Sequence, residues 1–372
     1  MAQFYDPFEG PINDAWTYNS GDGAATIDFT GNQEYATIIV DATDDQNNIW
    51  WALIRRNVAP QLDLSLLSKP THELRVETRI KASHSPRRVN LHFNTQKTTD
   101  FHSHLMEYDI DDTTNWHTIS MTTEGFEAVP GDTVNAQMAL IDWGPDTYKL
   151  QVDYFKVDIV DTDTTRPDIG NPVPYNPPIP ELSSYNYQEK VSDDTMVDLR
   201  FPEINFNGWY AISRKEQAPT LTVSGGQFSL LRWDLESYVG RNVEGYGVLE
   251  ITTQSLQRME TGLPEFGQVR VVEILADKNW SEETVTLKTL SGGKNINKVF
   301  NPQMVIDVAI SPEPGSSTKI TINEPVLQRL IDGETTGLAL RPLGPITATF
   351  FASEYEEGSY SATLHFNLSG DD

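Results

Sequence analysis

Six of the 22 prolines in this 372-residue chain fall within fourteen residues: Pro167, Pro172, Pro174, Pro177, Pro178 and Pro180. Proline fixes φ and has no amide hydrogen to donate, so this stretch can be neither a helix interior nor a central strand. The surrounding segment, DTDTTRPDIGNPVPYNPPIPELSSYNYQE at 161–189, reads as a semi-rigid extended linker. It divides the chain into a first domain at 1–160 and a second at 190–372, and two domains is also what the length suggests.

Both sides of the linker carry short runs of alternating polarity, split by Gly, Pro, Asn and Asp. In the first half these include LRVETRIKA at 74–82, VNLHFNTQ at 89–96 and KLQVDYFKVDIV at 149–160. In the second they include VRVVEIL at 269–275, MVIDVAI at 304–310 and SATLHFNL at 361–368. Helical periodicity is rare, the best case being EPVLQRL at 324–330. The expected fold class is all-β: two β-sandwich domains of jelly-roll type joined by the proline-rich linker.

Hydrophobic residues make up 38% and aromatic residues 10%, enough to form real cores and to exclude disorder throughout. Cysteine is absent, which removes disulfides, thiolate metal sites and a Cys nucleophile. No apolar run is long enough for a membrane-spanning helix. Lys and Arg total 27 against 54 Asp and Glu, a net charge of −27 that repels a phosphate backbone, so nucleic acid is not an expected partner. The same acidity suits solubility, calcium uptake and an extracellular setting. Met1–Pro7 has no basic stretch followed by an apolar one. The expectation is a secreted or cell-surface protein whose signal peptide is not in this chain.

Six of the seven histidines lie in the first 160 residues, which places any chemistry there. Along 88–96 the odd positions Val89, Leu91 and Phe93 suit a core, and the even positions Arg88, Asn90, His92, Asn94 and Gln96 face away from it. In the following strand Phe101 and Leu105 suit the core, while His102, His104, Met106 and Tyr108 share the other face. A hairpin whose paired residue numbers sum to an even value puts Gln96 near His102, Asn94 near His104 and Asn90 near Tyr108. Glu107 and Asp109 then fall on the opposite face or at the strand end.

Such a face suits β-elimination from a uronic acid. The carboxylate must be neutralised, a base must take the proton beside it, and an acid must protonate the leaving oxygen. His92, His104 and Tyr108 are the acid/base candidates. Arg79, Arg88, Asn90, Asn94, Gln96 and His102 are the candidates for holding substrate. The same side chains also suit sugar binding without chemistry, or a plain polar surface. The His102-X-His104 spacing is compatible with zinc. A basic cluster of Arg75, Arg79, Lys81, Arg87, Arg88 and Lys97 either attracts an anionic glycan or makes ion pairs with acidic neighbours. Trp50, Trp51, Trp116 and Trp143 are candidates for stacking on sugar rings or for core packing. Glu9 and Asp153, near the two ends of the domain, could share a structural Ca2+ ion.

The segments FYDPFEG at 4–10 and LQVDYFKVDIV at 150–160 resemble the opening turn and closing strand of secreted carbohydrate-binding jelly rolls. That resemblance implies a sugar-binding β-sandwich with calcium held by Glu9 and Asp153. ELRVETR at 73–79, NLHFNTQ at 90–96 and YFK at 154–156 follow the strand order of jelly-roll alginate lyases. Two of that family's elements, Gln-Ile-His and the Gly-X-Tyr after Tyr-Phe-Lys, are missing, so its catalytic Tyr is not carried over. The second half resembles the DNRLRE family of β-sandwich modules. The likeness is carried by LLRWDL at 230–235, VRVVEIL followed by NWSEE at 279–283, TGLAL at 336–340, FASE at 351–354 and the closing strand at 362–368. Position 233 is Trp where that family usually has Phe. The resemblance implies glycan binding or a spacer role.

These readings lead to a secreted polysaccharide-active protein that cleaves an acidic (uronate) polysaccharide such as alginate. Two alternatives stand beside it. One is a non-catalytic tandem carbohydrate-binding protein partnered with a larger catalytic chain. The other is a structural adhesin module of the cell surface.

Overall fold

The computed structural model describes residues 3–20, 25–45, 51–207, 219–259, 267–276 and 280–370. Among them the chain is all-β, as two β-sandwiches. It divides into two compact units, Met1–Pro177 and Pro178–Asp372. No helix among the described residues is long and apolar enough to cross a membrane.

The first unit runs through β1 (Phe4–Asp6), β2 (Trp16–Ser20), β3 (Thr26–Gly31), β4 (Ala36–Asp41), β5 (Trp51–Asn57) and β6 (His72–Ala82). It continues with β7 (Arg87–Asn94), β8 (Leu105–Ile110), β9 (His117–Thr122), β10 (Asn135–Ile141), β11 (Thr147–Asp161) and β12 (Pro172–Val173). One sheet has the order β3-β4-β11-β6-β9, with β1 also on β11. The other has the order β12-β8-β7-β10-β5-β2. Alternation decides the inner faces. Val89, Leu91 and Phe93 of β7 and Ala136, Met138 and Leu140 of β10 meet Val76, Ile80, Val152 and Phe155 of the first sheet in one core.

The first half of the proline-rich segment belongs to this unit. Arg75 donates to the carbonyls of Arg166 (2.8 Å) and Pro167 (3.1 Å) and pairs with Asp168 at 3.0 Å. Arg166 pairs with Glu77 at 2.6 Å. Gly170 (φ +103°) passes so close to the Tyr108 ring that a Cβ there would sit 3.0 Å from it. Pro172 then enters β12, an edge strand, where a missing amide is tolerated.

The second unit contains β13 (Tyr187–Lys190), β14 (Asp193–Asp198), β15 (Thr220–Ser224), β16 (Gln227–Arg232), β17 (Gly247–Arg258) and β18 (Gln268–Ile274). After these come α1 (Leu287–Ser291), β19 (Phe300–Val308), β20 (Ser317–Ile322), α2 (Glu324–Ile331), β21 (Leu338–Leu343), β22 (Ile346–Phe351) and β23 (Thr363–Phe366). The long β17 joins two sheets. Residues 247–252 pair with β20, and from Thr253 onward, across a register shift between Thr253 and Ser255, the strand pairs with β22. The sheet holding β16, β18 and β21 is covered on both faces. Leu231, Val271 and Leu340 enter one core, while Leu230, Val272 and Ala339 enter a second one with Trp280 and α1. Continuous runs such as Leu230-Leu231 and Val271-Val272 follow from burial on both sides.

The helical run expected at 324–330 is α2. Asn323 caps it by accepting from Val326 N at 3.0 Å, and Pro325 sits in the first turn, where no amide is needed. Replacing Asn323 by Ala should cost about 1 kcal/mol of stability, read by urea unfolding of the full chain. An unchanged midpoint would contradict this assignment.

Candidate functional site

The polar side chains of the first unit meet on the face of the second sheet turned away from the core. Register builds it row by row. Glu107 of β8 lies beside Asn90 of β7, then Ala139 of β10 and Leu53 of β5. The next row is Leu105, His92, Gln137, Arg55 and Thr17. Asn94, Asn135 and Asn57 form a third row, and Asp109, Arg88, Ile141 and Trp51 a fourth.

The register of the β7–β8 hairpin corrects the sequence expectation. Tyr108 is opposite Val89 and Glu107 opposite Asn90, so the paired numbers sum to an odd value. A shift of one residue turns every side chain of a strand to the other face. Tyr108 therefore enters the core, 1% exposed, and donates its hydroxyl to the Ser120 carbonyl. Burial pushes its pKa above the usual tyrosine range. Glu107 and Asp109, expected on the far side, join the polar face. Arg88 holds both, with Nη1 at 3.0 Å from Glu107 and Nε at 2.9 Å from Asp109. All three are buried. Burial raises Glu107 above the usual carboxylate range, and the two carboxylates raise Arg88.

Of the other acid/base candidates, His92 is on the face and His104 is not beside it. His92 is 7% exposed, with Nδ1 at 3.2 Å from Asn90 Oδ1. Burial pulls its pKa down to about 4, against the opposing hydrogen bond that the ring donates to Gln137. It is a neutral imidazole at pH 7. His104 packs edge-on to Phe126 at 4.9 Å, and burial lowers its pKa. His102 stacks on Tyr175 at 3.9 Å and 21° and pairs with Asp100 at 3.2 Å, so the two rings of the His-X-His pair have different partners.

The remaining candidates divide between the face and its surroundings. Asn90 and Asn94 are on the face, Asn94 accepting from Asn135 Nδ2 at 3.1 Å. Gln96 instead anchors a loop, donating to Asp132 at 2.6 Å and accepting from Thr133 N at 2.9 Å. Arg79 is on β6 of the other sheet, paired with Asp153 at 3.0 Å and over the Trp116 ring at 5.4 Å. Glu9 is exposed next to Asn32, and Asp153 has Arg79 as its partner. Most of the basic cluster is engaged with acids, Arg75 with Asp168 and Lys97 with Asp132 as well as Arg79 and Arg88. Trp143 is a core residue donating to the Arg88 carbonyl at 2.7 Å, and Trp51 is 38% exposed at the end of its row. Trp50 lies outside the described residues.

Sequence reading missed Asn135, Gln137, Arg55 and Tyr175. Asn135 and Gln137 were legible in NAQMALI at 135–141, where polar residues alternate with Ala136, Met138 and Leu140. Tyr175, two residues beyond Val173, is 44% exposed and stacks on His102. It carried no signal inside a segment read as linker.

Three carboxylates converge in the second unit. Asp194, Glu282 and Glu354 bring one oxygen each within 4.8 Å of one another. Burial, followed by repulsion from Glu354, raises Asp194 to about 7, and the residue accepts from Ser353 N at 2.9 Å and Oγ at 3.1 Å.

His92 gives the first unit an acid sensitivity. Its folded pKa of about 4 lies below the usual imidazole value of 6.5, so protons bind the unfolded chain preferentially between those values. Stability from this group is present above pH 6.5 and falls as the pH drops toward 4, by roughly 3 kcal/mol in total. Urea midpoints of the wild type and His92→Gln should converge between pH 7 and 4.5. Parallel curves would contradict the neutral, buried ring.

No protein-family model and no curated protein matches this chain. Solved structures that this chain matches include a tandem of two modules, CBM22-1 and CBM22-2, from Paenibacillus barcinonensis Xyn10C. It is 10% identical with TM-score 0.30, over 99% of this chain and 96% of that one. A family 11 carbohydrate-binding module from Clostridium thermocellum, in complex with a β-1,3-1,4-mixed-linked tetrasaccharide, is 17% identical with TM-score 0.29. It covers 41% of this chain and 92% of that one. The CBM22-1 xylan-binding domain of the same Paenibacillus protein is 12% identical with TM-score 0.28, covering 43% and 96%.

Proposed function

We propose that this chain is a non-catalytic polysaccharide-binding protein and that the polar face formed by β8, β7, β10 and β5 is its contact surface. One observation carries the reading. Gln137, 3% exposed at the centre of that face, has its Nε2 buried with no hydrogen-bond acceptor among the described residues. A buried donor left unsatisfied costs about 1–3 kcal/mol, and a sugar hydroxyl is a neutral acceptor suited to satisfy it. Asn90, Asn94 and Asn135 add further amide donors and acceptors around it. Trp51 and Tyr175 present exposed aromatic faces at its margins, the side chains on which pyranose rings stack.

Lyase chemistry is supported less well by the same geometry. A base and an acid must reach one substrate from one side. Tyr108 is turned into the core, His104 packs on Phe126, and His92 is left on the face without either of them, bonded to Asn90. An acidic glycan as ligand, a secreted or cell-surface setting and partnership with a larger enzyme belong to the same proposal.

Native gels cast with dissolved neutral and uronate polysaccharides test it. At least one polymer should retard the full chain, and Gln137→Leu should weaken that retardation about tenfold. No ultraviolet absorbance from unsaturated uronate should develop on incubation. Lack of retardation by any polymer, or accumulation of unsaturated product, would overturn the reading.

A further inference from the structure

The second unit holds a cation with no acid paired to it among the described residues. Arg270 of β18 and Arg341 of β21 are directly opposite each other in the sheet, an arrangement that like charges disfavour. Arg270 uses its fork on Asp307, with Nε and Nη2 each 2.8 Å from a carboxylate oxygen. Arg341 has no such partner among the described residues. Its guanidinium lies 4.7 Å from the centre of the Phe228 ring, and Arg270 is its charged neighbour. Burial, reinforced by Arg270, pulls its pKa down to about 10, still charged at neutral pH.

Several other arginines of the chain are matched to acids. Acids outnumber bases 54 to 27, and Arg75, Arg79, Arg88, Arg270 and Arg329 each have a carboxylate within 3.0 Å. A partly buried guanidinium with no carboxylate beside it among the described residues is costly to keep, and an oxyanion that docks against its fork relieves that cost. The Phe228 ring supplies a cation–π contact to the guanidinium and no carboxylate oxygen to its N–H groups.

We infer that Arg341, flanked by Arg270, is an oxyanion-binding position that takes the carboxylate or sulfate ester of an acidic glycan. The glycan as the source of the anion rests on the polysaccharide-binding reading above. The oxyanion itself rests on Arg341 alone.

Two measurements on the full chain keep these apart. In nitrogen-15 spectra of the arginine Nε–H groups, the Arg341 signal is the one missing from Arg341→Lys. Sodium galacturonate and sodium sulfate, added separately at constant ionic strength, should shift it saturably in at least one case and leave the Arg75 signal in place. In gels containing a uronate polymer, a sulfated polymer or a neutral one, Arg341→Gln should bind on the order of tenfold to a hundredfold more weakly to the polymer carrying the responsive anion. Its retardation by the neutral polymer should match the wild type.

An Arg341 signal indifferent to both anions overturns the inference, as does unchanged retention of Arg341→Gln. Wild type retained by no polymer overturns the polysaccharide reading and the glycan source with it, while a saturable shift with a free anion would still support the oxyanion position. A purely structural Arg341, serving only to pack on Phe228, predicts no anion-dependent shift.

Discussion

Replacing Arg88 by Met should destabilise the first unit by about 3–5 kcal/mol, because it strands two buried carboxylates. Arg88, Glu107 and Asp109 are 2%, 5% and 8% exposed, so water screens none of them well. With the guanidinium gone, Glu107 and Asp109 must either stay charged without a partner or take up protons. Protonation relieves them only when protons are abundant. The deficit of Arg88→Met against the wild type should therefore be largest above neutral pH and shrink as the pH falls toward 5. Removing all three charges together, as Arg88→Met/Glu107→Leu/Asp109→Leu, should recover most of the loss, because apolar replacement of a whole buried ion network is often close to neutral. Urea unfolding at pH 8 and pH 5 reads both effects. A loss below about 1 kcal/mol for Arg88→Met, the range of surface pairs, would mean that the carboxylates are hydrated.

This network also marks where sequence reading stopped. The inner and outer residues of β7 follow from alternation alone, since Val89, Leu91 and Phe93 admit only one face to the core. The partner strand is different. Residues 95–104 link β7 to β8, and nothing in Thr95–Asp100 specifies the turn closely enough to set the pairing to one residue. Phe101 and Leu105 suggested a core face, yet Phe101 is 56% exposed and Leu105 is on the polar side, while Tyr108 and Ile110 fill the core. That single step exchanged Tyr108 for Glu107 and Asp109 at the site. The second unit was easier to read as β, because strands buried on both faces appear as unbroken apolar runs. That Arg341 is opposite Arg270, with no acid paired to it among the described residues, was not legible, because partners across a sheet depend on pairings that the local pattern does not contain.

The second large effect expected is on affinity. Trp51 and Tyr175 are the exposed aromatic groups at the margins of the polar face, 38% and 44% exposed. Truncation of an aromatic anchor at a binding surface commonly costs about 2 kcal/mol or more. Trp51→Ala with Tyr175→Ala should therefore lose about 4 kcal/mol, roughly a thousandfold in Kd, if the two act independently. Neither side chain is part of the core, so the double variant should unfold at a urea midpoint close to that of the wild type. Titration calorimetry with the polymer that retards the wild type in gels measures the loss. Affinity within a few-fold of wild type would remove the aromatic margins from the contact surface. His102 lies against Tyr175, so His102→Ala alone should weaken binding by a smaller factor, through looser positioning of the ring.

The most direct test follows the side-chain amides themselves. In nitrogen-15 spectra of the full chain, an oligosaccharide cut from the retarding polymer should shift the NH2 signals of Gln137, Asn90, Asn94 and Asn135 saturably and together. Gln96, already tied to Asp132 and Thr133 beyond the end of β7, should hold its position. Shifts that leave those four amides untouched while binding is saturated would contradict the account.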